Sequence, residues 1–167
     1  MAFKVVVITA SDSGYAGKRE DLSGEKVIEI CQKNQLSVIK KIILPDEAAL
    51  LSQTMEQIAD QEEADLILTT GGTGLAPRDC TPEATLAIAD RMVPGFSEAM
   101  RSLSLQITKR AMLSRGVSVT RKATLIINLP GSTKAVDESL SYIIDQIPHA
   151  LALLKNQKQA SQNHFEK

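Results

Sequence analysis

Asp65-Leu66-Ile67-Leu68-Thr69-Thr70-Gly71-Gly72-Thr73-Gly74-Leu75-Ala76-Pro77-Arg78-Asp79-Cys80-Thr81-Pro82-Glu83-Ala84 decides the fold. Asp65–Thr70 is a nearly continuous apolar run with little alternation, the mark of a strand covered on both faces in a parallel sheet. Three glycines among residues 71–74 let the backbone approach a ligand closely and turn its N–H groups inward as an anion nest. Thr81 followed by Pro82 signals a helix start, with a cap and a first-turn proline. Strand, glycine turn and helix in that order form half of a strand–helix–strand unit.

The same pattern recurs on either side. Lys4–Thr9 and Ala123–Asn128 are further apolar runs, and Ser37–Leu44 and Gly116–Thr120 complete the predicted strands. Between them, apolar residues share helical faces: Val27, Ile30 and Cys31; Leu51, Met55 and Ile58; Val136, Leu140, Ile143 and Ile147. This alternation predicts an α/β fold with a doubly wound, mostly parallel sheet and helices on both faces. Thr81–Met92 and Phe96–Leu105 read as successive helices broken at Val93-Pro94-Gly95, followed by an irregular stretch, Gln106–Arg115. Pro148 is expected to start a short last helix ending at Leu154. Residues 1–155 are expected to form one domain and residues 156–167 a polar tail.

With 43% hydrophobic and 23% charged residues the composition is globular, which excludes a disordered chain. A net charge of −1 provides no basic field for nucleic acid or an anionic membrane. The absence of tryptophan, with two tyrosines and three phenylalanines, removes most platforms for stacking bases. Cys31 and Cys80 have no metal-ligand spacing, and two unpaired thiols suit a reducing compartment. Val5–Ile8 is too short for a signal-peptide core or a membrane span, so a cytoplasmic location is expected.

In such sheets ligands collect at the carboxyl ends of the strands. After the first strand, Ser11 and Asp12 open a connection to Leu22 that is longer than a structural turn needs, although Asp21 or Ser23 also suits a helix cap. After the second, Asp46 in Pro45-Asp46-Glu47 is well placed to cap the next helix. After the third, Thr81 and Pro82 already start the helix, which leaves Arg78 and Asp79 without a structural duty. An acid and a base beside a glycine nest read as functional, against the alternative of a surface ion pair. The lysine of a P-loop and the spacing of a dinucleotide fingerprint are both absent. After the last strand, Asn128-Leu129-Pro130-Gly131-Ser132-Thr133-Lys134 makes a rigid turn into a helix capped by Ser132 or Thr133. That helix start suits either simple capping or a phosphate site to which Lys134 adds charge.

Together these turns resemble the MogA/MoaB family of molybdenum-cofactor proteins, which includes the molybdopterin adenylyltransferase domains of gephyrin and plant Cnx proteins. The carriers are Thr70–Gly74, Arg78–Ala84, Pro45–Glu47, Leu129–Gly131, Ser11-Asp12, Met92–Phe96 and Ala111–Arg115, spread over residues 4–155. The resemblance implies a three-layer fold, usually trimeric, that transfers AMP from ATP to the terminal phosphate of molybdopterin and releases pyrophosphate. It places the essential aspartates at Asp46 and Asp79, both candidate ligands of Mg²⁺, and pterin-side serines at Ser104 and Ser114. Gly71, Gly72, Thr73 and Gly74, with Ser11, Asp12, Asn128, Pro130, Gly131 and Ser132, would line the nucleotide and pterin sites. Arg78 and Lys134 are candidate phosphate partners, and the product would pass to a molybdenum-insertion protein. Two readings stay open beside this one. A non-catalytic scaffold member of the family would have no chemical need for Asp46, Arg78 and Asp79 together. A nucleotide-binding regulatory module would use the glycine nest alone.

Overall fold

The computed structural model describes residues 2–155. The chain begins β1 (Lys4–Ala10), α1 (Asp12–Tyr15), α2 (Leu22–Lys33), β2 (Ser37–Leu44), α3 (Ala48–Asp60) and β3 (Leu66–Thr70). It continues α4 (Thr81–Leu86), β4 (Arg91–Met92), α5 (Pro94–Ile107), a 3-10 turn (Lys109–Leu113), β5 (Ser118–Arg121) and β6 (Thr124–Leu129). It ends α6 (Thr133–Ile143), a second 3-10 turn (Ile144–Gln146) and α7 (Ile147–Lys155). The expected tail, 156–167, lies outside the described residues.

The sheet order is β2-β1-β3-β6-β5-β4, so the three apolar runs become three adjacent central strands. Alternate residues of these strands feed two cores. Val5, Val7, Leu66, Leu68, Leu125 and Ile127 pack with Val27 of α2, Val136 and Leu140 of α6, and Leu151 of α7. Val6, Ile8, Ile67 and Ile126 face the other way, onto Leu51, Met55 and Ile58 of α3 and Ala84 of α4. Burying each such side chain contributes roughly 1.5–3 kcal/mol, and the result is the expected three layers. Pairings β1–β2, β1–β3 and β3–β6 are parallel. At the outer edge, β2 carries the partly exposed Lys40 and Lys41, which discourage pairing with another chain.

The other edge departs from expectation. β5 runs antiparallel to β6, joined through Lys122 with φ +49°, and β4 pairs antiparallel with β5. The helix expected through Met92 stops at Leu86 because tertiary bonds claim its continuation. Arg121 donates to Ile88 O (3.0 Å), Lys122 N–H to Asp90 Oδ2 (2.6 Å) and Asp90 N–H to Thr120 O (2.8 Å). Thr81 does not cap α4: Cys80 holds the cap position without a side-chain bond, and Pro82 stands in the first turn. Among the described residues no helix is long and apolar enough to cross a membrane.

α2 leads from β1 to β2 over one face and α3 from β2 to β3 over the other. The winding therefore reverses between β1 and β3, which opens a crevice beyond their carboxyl ends.

Candidate active site

Three strand ends converge in this crevice. Gly71 and Gly72 have φ of +91° and +67°, a left-handed backbone that glycine adopts without steric cost. Gly71 also has no room for a side chain: a Cβ there would lie 2.4 Å from Ala10 O at the end of β1. Gly131, after β6, closes from the other side, where a Cβ would meet Gly71 Cα at 3.3 Å. The N–H groups of Gly72, Thr73, Gly74 and Leu75 find no backbone acceptor among the described residues, as an anion nest requires.

Beside the nest, three loops are tied through Asp12. Asp12 N–H donates to Asp46 Oδ2 (3.1 Å) and Asp46 N–H returns a bond to Asp12 Oδ1 (3.0 Å). Arg78 forks onto the same carboxylate, Nε to Oδ2 and Nη2 to Oδ1, both at 2.9 Å. Arg78 thus pairs with Asp12, not with its neighbour Asp79. Asp79 also has a local duty that the sequence did not suggest, because its Oδ2 accepts from Ala76 N–H at 3.1 Å. Asp46 is not a cap: Glu47 holds the cap position of α3 and makes no side-chain cap bond. Asp46 Oδ1 is instead buried without a partner among the described residues, as is Thr81 Oγ1. Both abut Gly72, whose added Cβ would lie 3.1 Å from the first and 2.4 Å from the second.

Hydrogen bonding and burial set the two linked carboxyls apart. Arg78, then the Asp46 N–H, holds Asp12 below the usual carboxylate range. Burial raises Asp46; the Asp12 N–H opposes it, while the charges of Asp12 and Asp79 add to it. An under-compensated carboxylate with a free oxygen is a place for a cation or a strong donor.

Two clefts flank the converging strand ends. One, of about 470 Å³, is lined by Ser11, Gly71, Gly131 and Ser132 together with Thr9 and Asp21. The other, of about 220 Å³, is lined by Ser104, Ser114, Asn128 and Pro130 with Arg101 and Glu138. The β6 turn divides them, with Asn128 and Pro130 on one side and Gly131 and Ser132 on the other. Asp12, Asp46, Arg78 and Asp79 line neither cleft and stand beside the nest.

A profile of the family described as "Probable molybdopterin binding domain" matches residues 6–149. The chain belongs to this molybdopterin-binding family. It is 41% identical over 145 residues to the molybdopterin adenylyltransferase of Haemophilus influenzae, covering 86% of this chain and 74% of that protein. It is 39% identical over 163 residues to the molybdopterin adenylyltransferase of Helicobacter pylori strain J99, covering 96% and 93%. Its structure matches that of the molybdopterin biosynthesis enzyme MoaB from Thermus thermophilus with a TM-score of 0.86. That match has 46% identity and covers 91% of this chain and 96% of the other. The resemblance drawn from the sequence and the three-layer α/β fold are both borne out.

Within this molybdopterin-binding fold, some candidate residues are structural in what they touch. Asn128 is buried and already engaged, donating to the Thr69 and Thr85 hydroxyls (3.0 Å each) and accepting from Val117 N–H (3.1 Å). Ser132 caps α6 through Ala135 N–H, as expected. Lys134 is not brought to the site: its side chain is 82% exposed, reaches Glu138 at 3.8 Å and lines neither cleft. Sequence reasoning missed Arg101 and Glu138, which line the smaller cleft, and gave Arg115 no role of its own. Arg115 stood in a matched motif, Ala111–Arg115, but its partners lie too far away in sequence to suggest a role.

Proposed function

We propose that the chain transfers AMP from ATP to the terminal phosphate of molybdopterin, giving adenylyl-molybdopterin and pyrophosphate in molybdenum-cofactor biosynthesis. Asp46 carries this reading: a carboxylate oxygen buried without a partner, beside a glycine nest, in a chain close to named molybdopterin adenylyltransferases. In the reaction a phosphate oxygen of molybdopterin bonds to the α-phosphorus of ATP. The bond from that phosphorus to the bridging oxygen breaks, and pyrophosphate leaves with the electron pair. The attacking phosphate is already ionised, so no general base is needed. The barrier is repulsion between anions together with charge building on the leaving group.

Each part of the site answers one of these demands. The free N–H groups of residues 72–75 bind phosphate oxygens, and Arg78 exchanges Asp12 for phosphate when the nucleotide enters. The cleft with Ser104 and Ser114 receives the pterin, and the larger one the nucleotide. Mg²⁺ suits the carboxylates, because it takes one or two of them plus phosphate oxygens and water. Among the described residues no three His, Cys, Asp or Glu side chains gather as a metal site, so its other ligands would come from ATP and water. Asp46 and Asp79 would hold the ion, which supplies charge stabilisation at the phosphates. The protein is further proposed to work in the cytoplasm as a homotrimer and to hand its product to a molybdenum-insertion protein.

Incubation with ATP, Mg²⁺ and molybdopterin, following pyrophosphate and adenylylated pterin together, tests the reading. Formation of both, abolished by EDTA, is the expected result. Molybdopterin binding without product would replace it with the scaffold reading.

A further inference from the structure

Arg115 grips one loop from outside. Its N–H donates to Thr73 O (2.9 Å), its Nε to Gly74 O (2.7 Å) and its Nη2 to Asp79 O (3.0 Å), while Nη1 pairs with Glu83. The guanidinium thus holds carbonyls at both ends of the turn 74–79. Inside that turn, Asp79 N–H donates to Ala76 O (2.9 Å) and Ala76 N–H to Asp79 Oδ2 (3.1 Å). Gly74 leaves room for the carboxylate, since a Cβ there would come within 2.9 Å of Asp79 Oδ2. The aim of the Asp79 side chain is therefore set by a turn whose ends are fixed by one residue, 36 positions along the chain. Arg115 directly follows Ser114, which lines the smaller cleft.

We infer that Arg115 is a positioning residue that fixes the 73–79 turn and so aims Asp79 at the reacting phosphates, an inference that rests on the adenylyl-transfer reading. The rigid fork of a guanidinium reaches two separate carbonyls at once, and the ammonium of a lysine does not reproduce that span. The same side chain ties the wall of the smaller cleft to the carboxylate loop, so the two halves of the site share a mechanical link.

Three variants test this: Arg115→Ala, Arg115→Lys and Glu83→Gln. Arg115→Ala is expected to lose roughly 100-fold in kcat, as a misaimed group does. Its KM for molybdopterin should stay within about threefold of wild type, because the pterin contacts are not in the turn. Added guanidinium ion should restore part of the rate by refilling the carbonyl cage, and Arg115→Lys should not behave as wild type. Glu83→Gln, which removes only an exposed ion pair, should stay within about threefold of the wild-type rate. Amide exchange at Ala76 and Asp79 should quicken in Arg115→Ala while the amides of β1 and β3 stay protected. Wild-type kcat in Arg115→Ala, or unchanged exchange at Ala76 and Asp79, overturns the inference. So does a rate that returns simply on cooling below a lowered melting point, the sign of a stability effect alone. A wild-type protein that makes no adenylylated pterin instead overturns the transfer reading, and the exchange measurement still decides whether Arg115 holds the turn.

Discussion

At the scale of single residues, the two oxygens of Asp46 have opposite surroundings: Oδ2 receives the Asp12 N–H, and Oδ1 is buried with nothing to bond. Leaving such an atom unpaired costs about 1–3 kcal/mol, a cost that a bound cation or phosphate-linked donor would remove. The burial and neighbouring charges that raise its pKa also mean that the folded state resists the ionised form. Asp46→Asn should therefore melt no lower than the wild type, the more so because Asp46 caps no helix. Asp79→Asn keeps an oxygen for Ala76 N–H. Both variants should nonetheless lose about 100- to 1,000-fold in AMP transfer, as when a group facing developing charge is removed, with molybdopterin affinity retained. Wild-type rates in both would displace the site. Asp46 and Asp79 were reached from the sequence through a motif. The Arg78–Asp12 pair was not legible, because its partners stand 66 residues apart and only the converging strand ends bring them together.

At the scale of elements, the start of α2 shows how tertiary packing outweighs propensity. Asp21 caps the helix through Gly24 N–H (2.9 Å) and also accepts from the Thr9 hydroxyl (2.7 Å). A Cβ on Gly24 would lie 2.1 Å from Asp21 Oδ2 and 2.8 Å from Thr9 Oγ1. Helix propensity alone favours alanine there by about 1 kcal/mol. Gly24→Ala should instead destabilise by about 1–3 kcal/mol in urea titration, as overpacking does; a stabilised variant would refute this. The same cap responds to acid. Burial alone would raise the Asp21 carboxyl, but the bonds from Thr9, Gly24 and Lys41 more than reverse it, leaving it below the usual carboxylate range. A depressed carboxyl stabilises the fold above its unfolded pKa, and that share is lost as pH falls from about 5 through the folded value. Asp21→Asn should flatten the acid decline of Tm over that window; an unchanged slope would count against the cap. The long strands were readable because burial on both faces leaves an unbroken apolar run. β4 was not, because two exposed residues carry no periodicity and exist as a strand only through bonds to β5.

At the scale of the whole molecule, the three central strands followed from sequence pattern. The antiparallel edge did not, since strand direction depends on which partner is met. Surface character is also set at this scale. Leu105, Ile107, Met112 and Leu113 are 42%, 51%, 69% and 52% exposed within one short stretch, more apolar surface than isolated residues explain. If this stretch is the contact of the proposed trimer, sedimentation at micromolar concentration should give three times the chain mass, and Leu113→Glu should shift it to monomer. A wild type that sediments only as monomer would remove the assembly. The turn between the two clefts has a kinetic consequence of its own. If each substrate takes the cleft proposed for it, on a separate side of the turn, either could enter first without blocking the other. The adenylylated pterin would, on the same reading, span the turn and hold both clefts at once, and a two-point ligand dissociates more slowly than either half because one released end rebinds before the other lets go. Departure of product would then limit turnover, and a downstream acceptor would speed the protein simply by emptying it.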